Sequence, residues 1–323
     1  MAANVKVGYI LLLVLLFRVL ETLFLESHLS ESAKFEDTSS REAIGLLIPT
    51  ETISSSSGFQ PIYVYRGPIA ENSNSNGINS TESMLLEHRE NRPVGSQVCQ
   101  DMIVSEIAML SQSGSPSPSP TARTHNYFVD LASNDAIYLS NTYRLEKEGW
   151  DGLCIEPNPA YWFRLAHRKC TVVGSVVGGM QDAVEVNVSL GNGAHGGIIG
   201  HNMDNKPRDG MPQERRYTIS IRSLFRDFNV PREIDYLSLD VEGAEELIME
   251  SFPFDLYTIR ILTVERTSSR VRSLLESNGY RWVVSLSKWG EALWVHNTTL
   301  EKIPYAKLRS ICKQLKSNCT GRT

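Results

Sequence analysis

Along the chain, apolar residues gather in one early block, thin out, and then return at periods that change from segment to segment. Residues 8–17 read GYILLLVLLF without a charge, and VLETLFL follows Arg18. A run this short suits the h-region of a signal peptide; taken through Leu25, with Arg18 and Glu21 displaced toward an interface, it could also span a bilayer. No small-x-small cleavage site is obvious downstream, so residues 1–25 are read as a signal anchor or signal peptide, the anchor being preferred. Residues 26–97 are rich in Ser, Asn, Glu and Thr, with SSSSG and NSNSNG tracts. Such a composition buries too little apolar surface to offset chain entropy, which predicts a flexible polar stem. Within 98–124, Met102, Ile103, Ile107 and Leu110 are spaced for one face of a helix, and SQSGSPSPSPTART then reads as a Ser-Pro linker.

After His125 short apolar runs alternate with helical patterns. YFVDLA, GLCIEP and CTVVGSVVGG predict three strands, with helices in SNTYRLEKEGW, starting near Ser140, and in AYWFRLAHRK. A β-rich stretch at 183–190, the loop GNGAHGGIIG and a polar loop through Arg216 follow. SIRSLFRDFNV then predicts a helix, IDYLSLDV a strand, GAEELIMESFPF a helix and RILTVER a strand. A helix at 270–278 and strands at 280–286 and 291–295 close the pattern. The alternation implies an α/β domain over 125–300, with a mostly parallel sheet, helices on both faces and a C-terminal antiparallel strand pair; 301–323 reads as a tail.

A net charge of −5 gives no electrostatic footprint for a nucleic-acid partner. Glycosylation triplets at Asn79, Asn187, Asn297 and Asn318 join the apolar start in predicting a lumenal or extracellular body. The expectation is a single-pass type II membrane protein of the ER or Golgi, with a secreted chain as the alternative. Five cysteines are compatible with disulfides there. Cys312 and Cys319 are the expected local pair, while Cys154 and Cys170 read as buried thiols.

In such a sheet, ligands bind outside the carboxyl ends of the strands, where strand order reverses. The first strand ends at Asp130 and runs into LASNDA; the second ends in Glu156-Pro157-Asn158, where a carboxylate can accept hydrogen bonds from ribose hydroxyls. The fourth core strand ends in Asp240-Val241-Glu242-Gly243 and the fifth in Glu265-Arg266. Singly, each has a plainer account: Asp130 or Asp135 as a helix cap, Glu156 as a turn residue, Glu242 and Glu245 as complements to a helix dipole. The ordered set is what points to a site.

The segments FVDLASNDAIYLSNT, EKEGWDGLCIEPNP and IDYLSLDVEGAE, with ILTVER and ESNGYRW, resemble the FkbM-type methyltransferases in the family's order. The resemblance implies a class I methyltransferase (Rossmann-like), doubly wound fold. It also implies transfer of a methyl group from S-adenosylmethionine, typically to a hydroxyl oxygen. By resemblance, Asp130, Ala132, Asn134, Asp135, Glu156, Asn158 and Ser175 hold the cofactor, while Asp240 and Glu242 face the transfer point. An alcohol acceptor must lose a proton, so Asp240, Glu242 and His201, the last in the glycine-rich region, are the candidate bases. The acceptor expected is a small molecule, lipid or glycan.

Two departures from the family pattern matter. Ala132 and Ala136 replace the glycines of a loop that relatives write VDIGANDG; where φ is positive or the ligand is in contact, that change weakens binding. Arg266 replaces a histidine, which puts a permanent cation at the strand end and argues against a metal there. The layout is also similar to the insect Star protein, so the rival reading is a non-catalytic, membrane-anchored trafficking or binding protein on the same scaffold. A nucleotide-sugar enzyme would need a metal-binding Asp-x-Asp pair, which no strand end supplies.

Overall fold

The computed structural model describes residues 51–54, 61–65, 94–112, 125–190, 193–210 and 212–319. In chain order these form β1 (Glu51–Ser54), β2 (Pro61–Tyr65), α1 (Gln100–Gln112), β3 (Tyr127–Leu131), α2 (Tyr143–Lys147), β4 (Asp151–Ile155), α3 (Pro159–Leu165) and β5 (Thr171–Gly174). Next come β6 (Val176–Gly178), β7 (Glu185–Ser189), β8 (Gly197–Ile198), β9 (Glu214–Ser220), α4 (Ile221–Asp227), β10 (Glu233–Leu239) and α5 (Glu245–Glu250). The chain continues through β11 (Thr258–Val264), α6 (Ser269–Ser277), β12 (Tyr280–Ser285), β13 (Ala292–His296), α7 (Asn297–Leu300) and α8 (Tyr305–Cys319).

The strands build two sheets. One has nine strands in the order β1-β2-β5-β4-β3-β10-β11-β13-β12, the other four in the order β6-β9-β7-β8. The run β5, β4, β3, β10, β11 is parallel throughout. It is extended by antiparallel pairing at both ends, β1 and β2 on one side, β13 and β12 on the other. The large sheet is therefore mixed, which corrects the expectation of a mostly parallel one; the expected C-terminal antiparallel pair is present. The parallel centre forms because its strands are apolar on both faces, FVDL in β3 and the run from Ile234 in β10 being buried. Val129, Leu131, Leu153, Ile155, Leu237 and Leu262 make its interior with Ile248, Phe225 and Trp294.

Local signals fix the helix starts. The Asn158 side chain accepts from Ala160 N with Pro159 at the first helical position, Ser220 caps α4 through Ser223 N, and Ser268 caps α6 through Val271 N. Sequence reading placed these elements within a few residues. It took CTVVGSVVGG as one strand, whereas the chain breaks at Ser175 and sends β5 and β6 to different sheets. It read 26–97 as stem, but β1 and β2 lie there and extend the sheet from β5; PIYVY is a β-branched and aromatic run that suits a strand. The rest of that segment before Val94 lies outside the described residues, as does 113–124 of the Ser-Pro linker. The tail is largely helix α8, with Leu308 and Cys312 fully buried.

The cysteine expectations are corrected. Cys99 pairs with Cys319 and Cys154 with Cys170, at Cα separations of 6.2 and 6.0 Å, while Cys312 is free and buried. Cys312 and Cys319 sit two turns apart on α8, roughly 10 Å along the axis, too far to be bridged. Cys154 and Cys170 come together because β4 and β5 are adjacent parallel strands. No helix among the described residues is long and apolar enough to cross a membrane, and the expectation of a single-pass type II membrane protein is withdrawn on that finding. The 1–25 segment behind it lies outside the described residues.

The Cys99–Cys319 bridge fastens the last helix to the start of α1 across 220 residues. Cys319→Ser is expected to cost about 2–4 kcal/mol in a denaturant melt, because the cross-link restricts the unfolded chain. Peptide mapping without reductant should return Cys312 as the unpaired thiol.

Candidate functional site

Strand order reverses at β3, which pairs with β4 on one side and β10 on the other. The register sets Asp130 beside Cys154 and Ser238, so the loops after β3, β4 and β10 all open at one edge. In the loop after β3, Ala132 and Asn134 adopt φ of 61° and 56°, left-handed values that cost a non-glycine residue roughly 1–2 kcal/mol. Ala132 thus stands where a glycine would be unstrained, whereas Ala136, the other replaced glycine, is buried without a positive φ. Glu156 holds the loop: Asn134 N donates to its Oε2 at 2.7 Å and Asn158 N to its Oε1 at 2.8 Å. Burial pushes the Glu156 carboxyl up to about 7, against the pull of those two N–H groups.

The other polar groups expected to hold a cofactor are engaged by the protein. Thr142 donates to Asp130 Oδ2 at 2.6 Å. Thr142 in turn accepts from the fully buried Arg168 at 3.2 Å, whose guanidinium also reaches Ser140 at 3.0 Å and Glu146 at 3.2 Å. Burial pushes Asp130 up to about 6, opposed by Thr142 and the Arg168 charge. Asp135 accepts from the backbone N–H groups of Ile137 and Tyr138, each at 3.0 Å, and from Arg164 Nε at 2.9 Å. Asn158 caps α3 and donates through Nδ2 to Leu190 O at 2.9 Å, which ties the loop to the small sheet. Ser175 is half-buried at the break between β5 and β6. Ala132, Pro157, Ser175, Leu190, Ile198 and Val241 line a cavity of about 40 Å³ at this place.

Beyond β10 the chemistry is acidic. Glu242 has φ 54° and Gly243 φ 97°; a Cβ at Gly243 would stand 2.6 Å from Asp204 N, so the turn packs directly on the 203–204 backbone. Arg266, itself at φ 49°, contacts Glu242 at 3.3 Å and makes closer ion pairs with Asp204 and Glu265. Carboxyl oxygens of Asp240, Glu245 and Glu265 lie within 4.8 Å of one another. Burial and then the Asp240 charge push Glu265 up to about 9, and the two carboxyls share a hydrogen bond. Asp240 is also raised, first by burial, with Glu265 and Arg266 pulling it down. Glu242 is raised by burial and by Asp240. Glu245, which accepts from Val241 N at 3.1 Å and Gly243 N at 3.3 Å, is pushed up to about 7 by burial.

Asp240 and Glu242 stand at the end of β10, and the Asp240 charge acts on Glu245, Glu265 and Glu291 as well. His201 stands apart, exposed in a turn; His195 is the histidine at Glu242, 3.3 Å from Oε1. Glu291 was not singled out by sequence reading. It immediately precedes β13, which runs antiparallel to β11 and so starts where β11 ends. Its carboxyl is pushed up to about 8 by burial and then by Asp240. A separate open cavity of about 490 Å³ adjoins the cluster, lined by Asp204, Gly243, Glu245, Glu246, Glu250 and Arg266 among others.

A mixed α/β sheet that reverses strand order beside a row of carboxyls is the layout of a methyltransferase-like domain. Residues 130–282 match the family model described as Methyltransferase FkbM domain, and the chain is similar to that family over this range. The match supports a methyltransferase in general. No curated protein matches the chain.

Asp130, Glu156 and Glu291 all have folded-state values above the ordinary carboxylate range. Their contribution to stability is complete below the unfolded-state values and is lost as pH rises through about 6, 7 and 8. Thermal melts in metal-free buffer should therefore show a lower midpoint at pH 8 than at pH 5. A midpoint that rises over that interval would count against the buried, proton-holding carboxyls. Gly243→Ala should cost about 1–3 kcal/mol by the same assay, since its left-handed turn leaves no room beside Asp204 N.

Proposed function

We propose that the domain transfers a methyl group from S-adenosylmethionine to a hydroxyl of a small-molecule, lipid or glycan acceptor. The observation that supports this reading is the strand order β5-β4-β3-β10-β11-β13-β12, whose reversal point lies between the ends of β3 and β10. Glu156 then ends the strand next to the reversal, where a ribose-binding carboxylate belongs, and Asp240 and Glu242 end the strand across it. The residues fit the cofactor in kind: a carboxylate at Glu156 and an apolar wall from Ile155, Pro157 and Val177. They do not yet fit it in volume. About 40 Å³ holds little more than one water, and small-molecule sites usually measure about 300–1,000 Å³, so the cavity must widen to take the cofactor.

When bound, S-adenosylmethionine supplies an electrophilic methyl group on a sulfonium. The chain supplies position and a proton acceptor. Burial raises both Asp240 and Glu265, which are hydrogen-bonded to each other, and Asp240, at the end of β10 beside the reversal point, is the residue placed to take the acceptor's proton. Glu242, fixed between His195 and Arg266, orients the same turn.

A second reading is favoured by a specific observation: a non-catalytic binding protein on this scaffold. The carboxylates of Asp130, Asp135 and Glu156 all bond to protein groups, and Ala132 bears a left-handed φ without a glycine. Calorimetry of the purified chain with S-adenosylmethionine separates the two. The enzyme reading expects saturable binding that weakens about ten- to a hundredfold in Glu156→Ala, the loss of a charged hydrogen bond. Absence of binding by folded wild-type protein at millimolar cofactor overturns it in favour of the second reading.

A further inference from the structure

We propose that α8 and the edge strand β12 form a docking surface for a sulfated polysaccharide of the heparin type, with Arg281, Lys307, Arg309, Lys313 and Lys316 as its cations. The chain as a whole carries a net charge of −5, yet α8 reads YAKLRSICKQLKSNC, without a single acid. Arg309, Lys313 and Lys316 recur at i, i+4 and i+7, so they form one stripe about 10 Å long on the helix. Lys307 and Lys313 are exposed, as is Arg281 on the neighbouring strand.

The platform is fixed in place. Helix α8 lies along β12, the last strand of the nine-stranded sheet: Tyr305 donates its hydroxyl to Trp282 O and Lys316 Nζ donates to Ser285 O, each at 2.7 Å. The Cys99–Cys319 bridge holds the far end of the helix. Aromatic rings, not carboxylates, position the two guanidiniums. Arg281 lies 4.6 Å from the centre of the Tyr305 ring, and Arg309 lies 5.7 and 5.9 Å from those of Trp282 and Tyr305. Arg309 Nε is buried and has no hydrogen-bond partner. Among the described residues no carboxylate pairs with any of the five cations, whereas Arg144, Arg164, Arg168, Arg260, Arg266 and Arg270 all sit in ion pairs. A row of cations without counter-charges creates a local positive field that draws an anionic partner.

The form of the helix selects that partner. A helix that binds a bilayer keeps an apolar face free to enter the acyl boundary. Helix α8 buries its apolar face, Leu308, Cys312 and Cys319, inside the domain, and none of the exposed large apolar residues lies on it. What it offers is charge and hydrogen-bond donors alone, guanidinium and ammonium groups suited to the oxygens of sulfate esters. The two disulfides point to an oxidising environment, where sulfated glycans rather than nucleic acids are the linear polyanions to be met. The surface stands whether or not the domain transfers methyl groups.

The test titrates the full chain with a heparin octasaccharide at about 0.1 M NaCl, where exposed charges still act on one another. Saturable binding is expected, with an affinity that falls at least about tenfold as NaCl is raised to about 0.5 M, because screening weakens exposed charge pairs. The double variant Lys307→Glu, Lys313→Glu should bind at least about tenfold more weakly, while Arg208→Glu, a charge reversal in the loop before β9, should bind as wild type. Both lysines are exposed, so an unchanged thermal midpoint will separate lost binding from lost fold. Heparin stripped of its sulfates should not bind the wild type, a readout that needs no variant. Absence of heparin binding by folded wild type overturns the proposal, and so does an equal loss in Arg208→Glu. Tighter binding to phosphatidylserine vesicles or to a polyglutamate peptide than to heparin assigns the surface to a membrane or a protein and overturns it too.

Discussion

The parallel pairing of β3 with β10 is the constraint on which the rest of the molecule depends. Chain leaving β3 goes to β4 and β5 on one side, and chain leaving β10 goes to β11 on the other, so the loops after the two strands diverge and leave a crevice between them. The register of that pair puts Leu131 beside Leu239, so Ala132 and Asp240 leave the sheet at the same level. Backbone strain collects at the same edge: Ala132, Asn134, Glu242 and Arg266 are all non-glycine residues with positive φ. Such conformations persist only where surrounding contacts over-determine them. Here Glu156 grips the N–H of Asn134, and Asp204 N donates to Glu242 O at 3.2 Å.

Much of the fold was legible because the central strands are buried on both faces and their helices carry ordinary caps. The run from Ile234 in β10 declares itself as a buried parallel strand, and Asn158-Pro159 declares the start of α3. What escaped depended on distant partners. Nothing local to PIYVY says that β5 offers it an edge, and nothing local to Cys99 says that α8 ends beside it. The break at Ser175 is a packing event: a Cβ on Gly174 would meet the Trp162 ring at 2.5 Å, so the chain passes close under α3 before leaving for the second sheet.

The site was legible in its residue types and not in their partners. Sequence order shows that Asp130, Glu156 and Asp240 end strands. It does not show that Asp130 turns to Thr142 and the buried Arg168, or that Asp135 is closed by Arg164. His195 reaches Glu242 at 3.3 Å, whereas His201 is exposed in a turn that meets the end of β10 through the backbone of Met203 and Asp204. Glu291 is invisible until the last strand is known to run antiparallel, since only then does the residue before it fall beside the ends of the others.

What unites these details is a concentration of buried acids at one edge of the sheet, more than Arg266 can neutralise. The account requires protons on some of them, the Asp240–Glu265 pair among them. Infrared spectroscopy of metal-free protein at neutral pH tests this directly through the carbonyl stretch of protonated carboxylic acids. The account predicts such a band in the wild type and its reduction in Glu265→Gln. A spectrum with carboxylate bands only would contradict it.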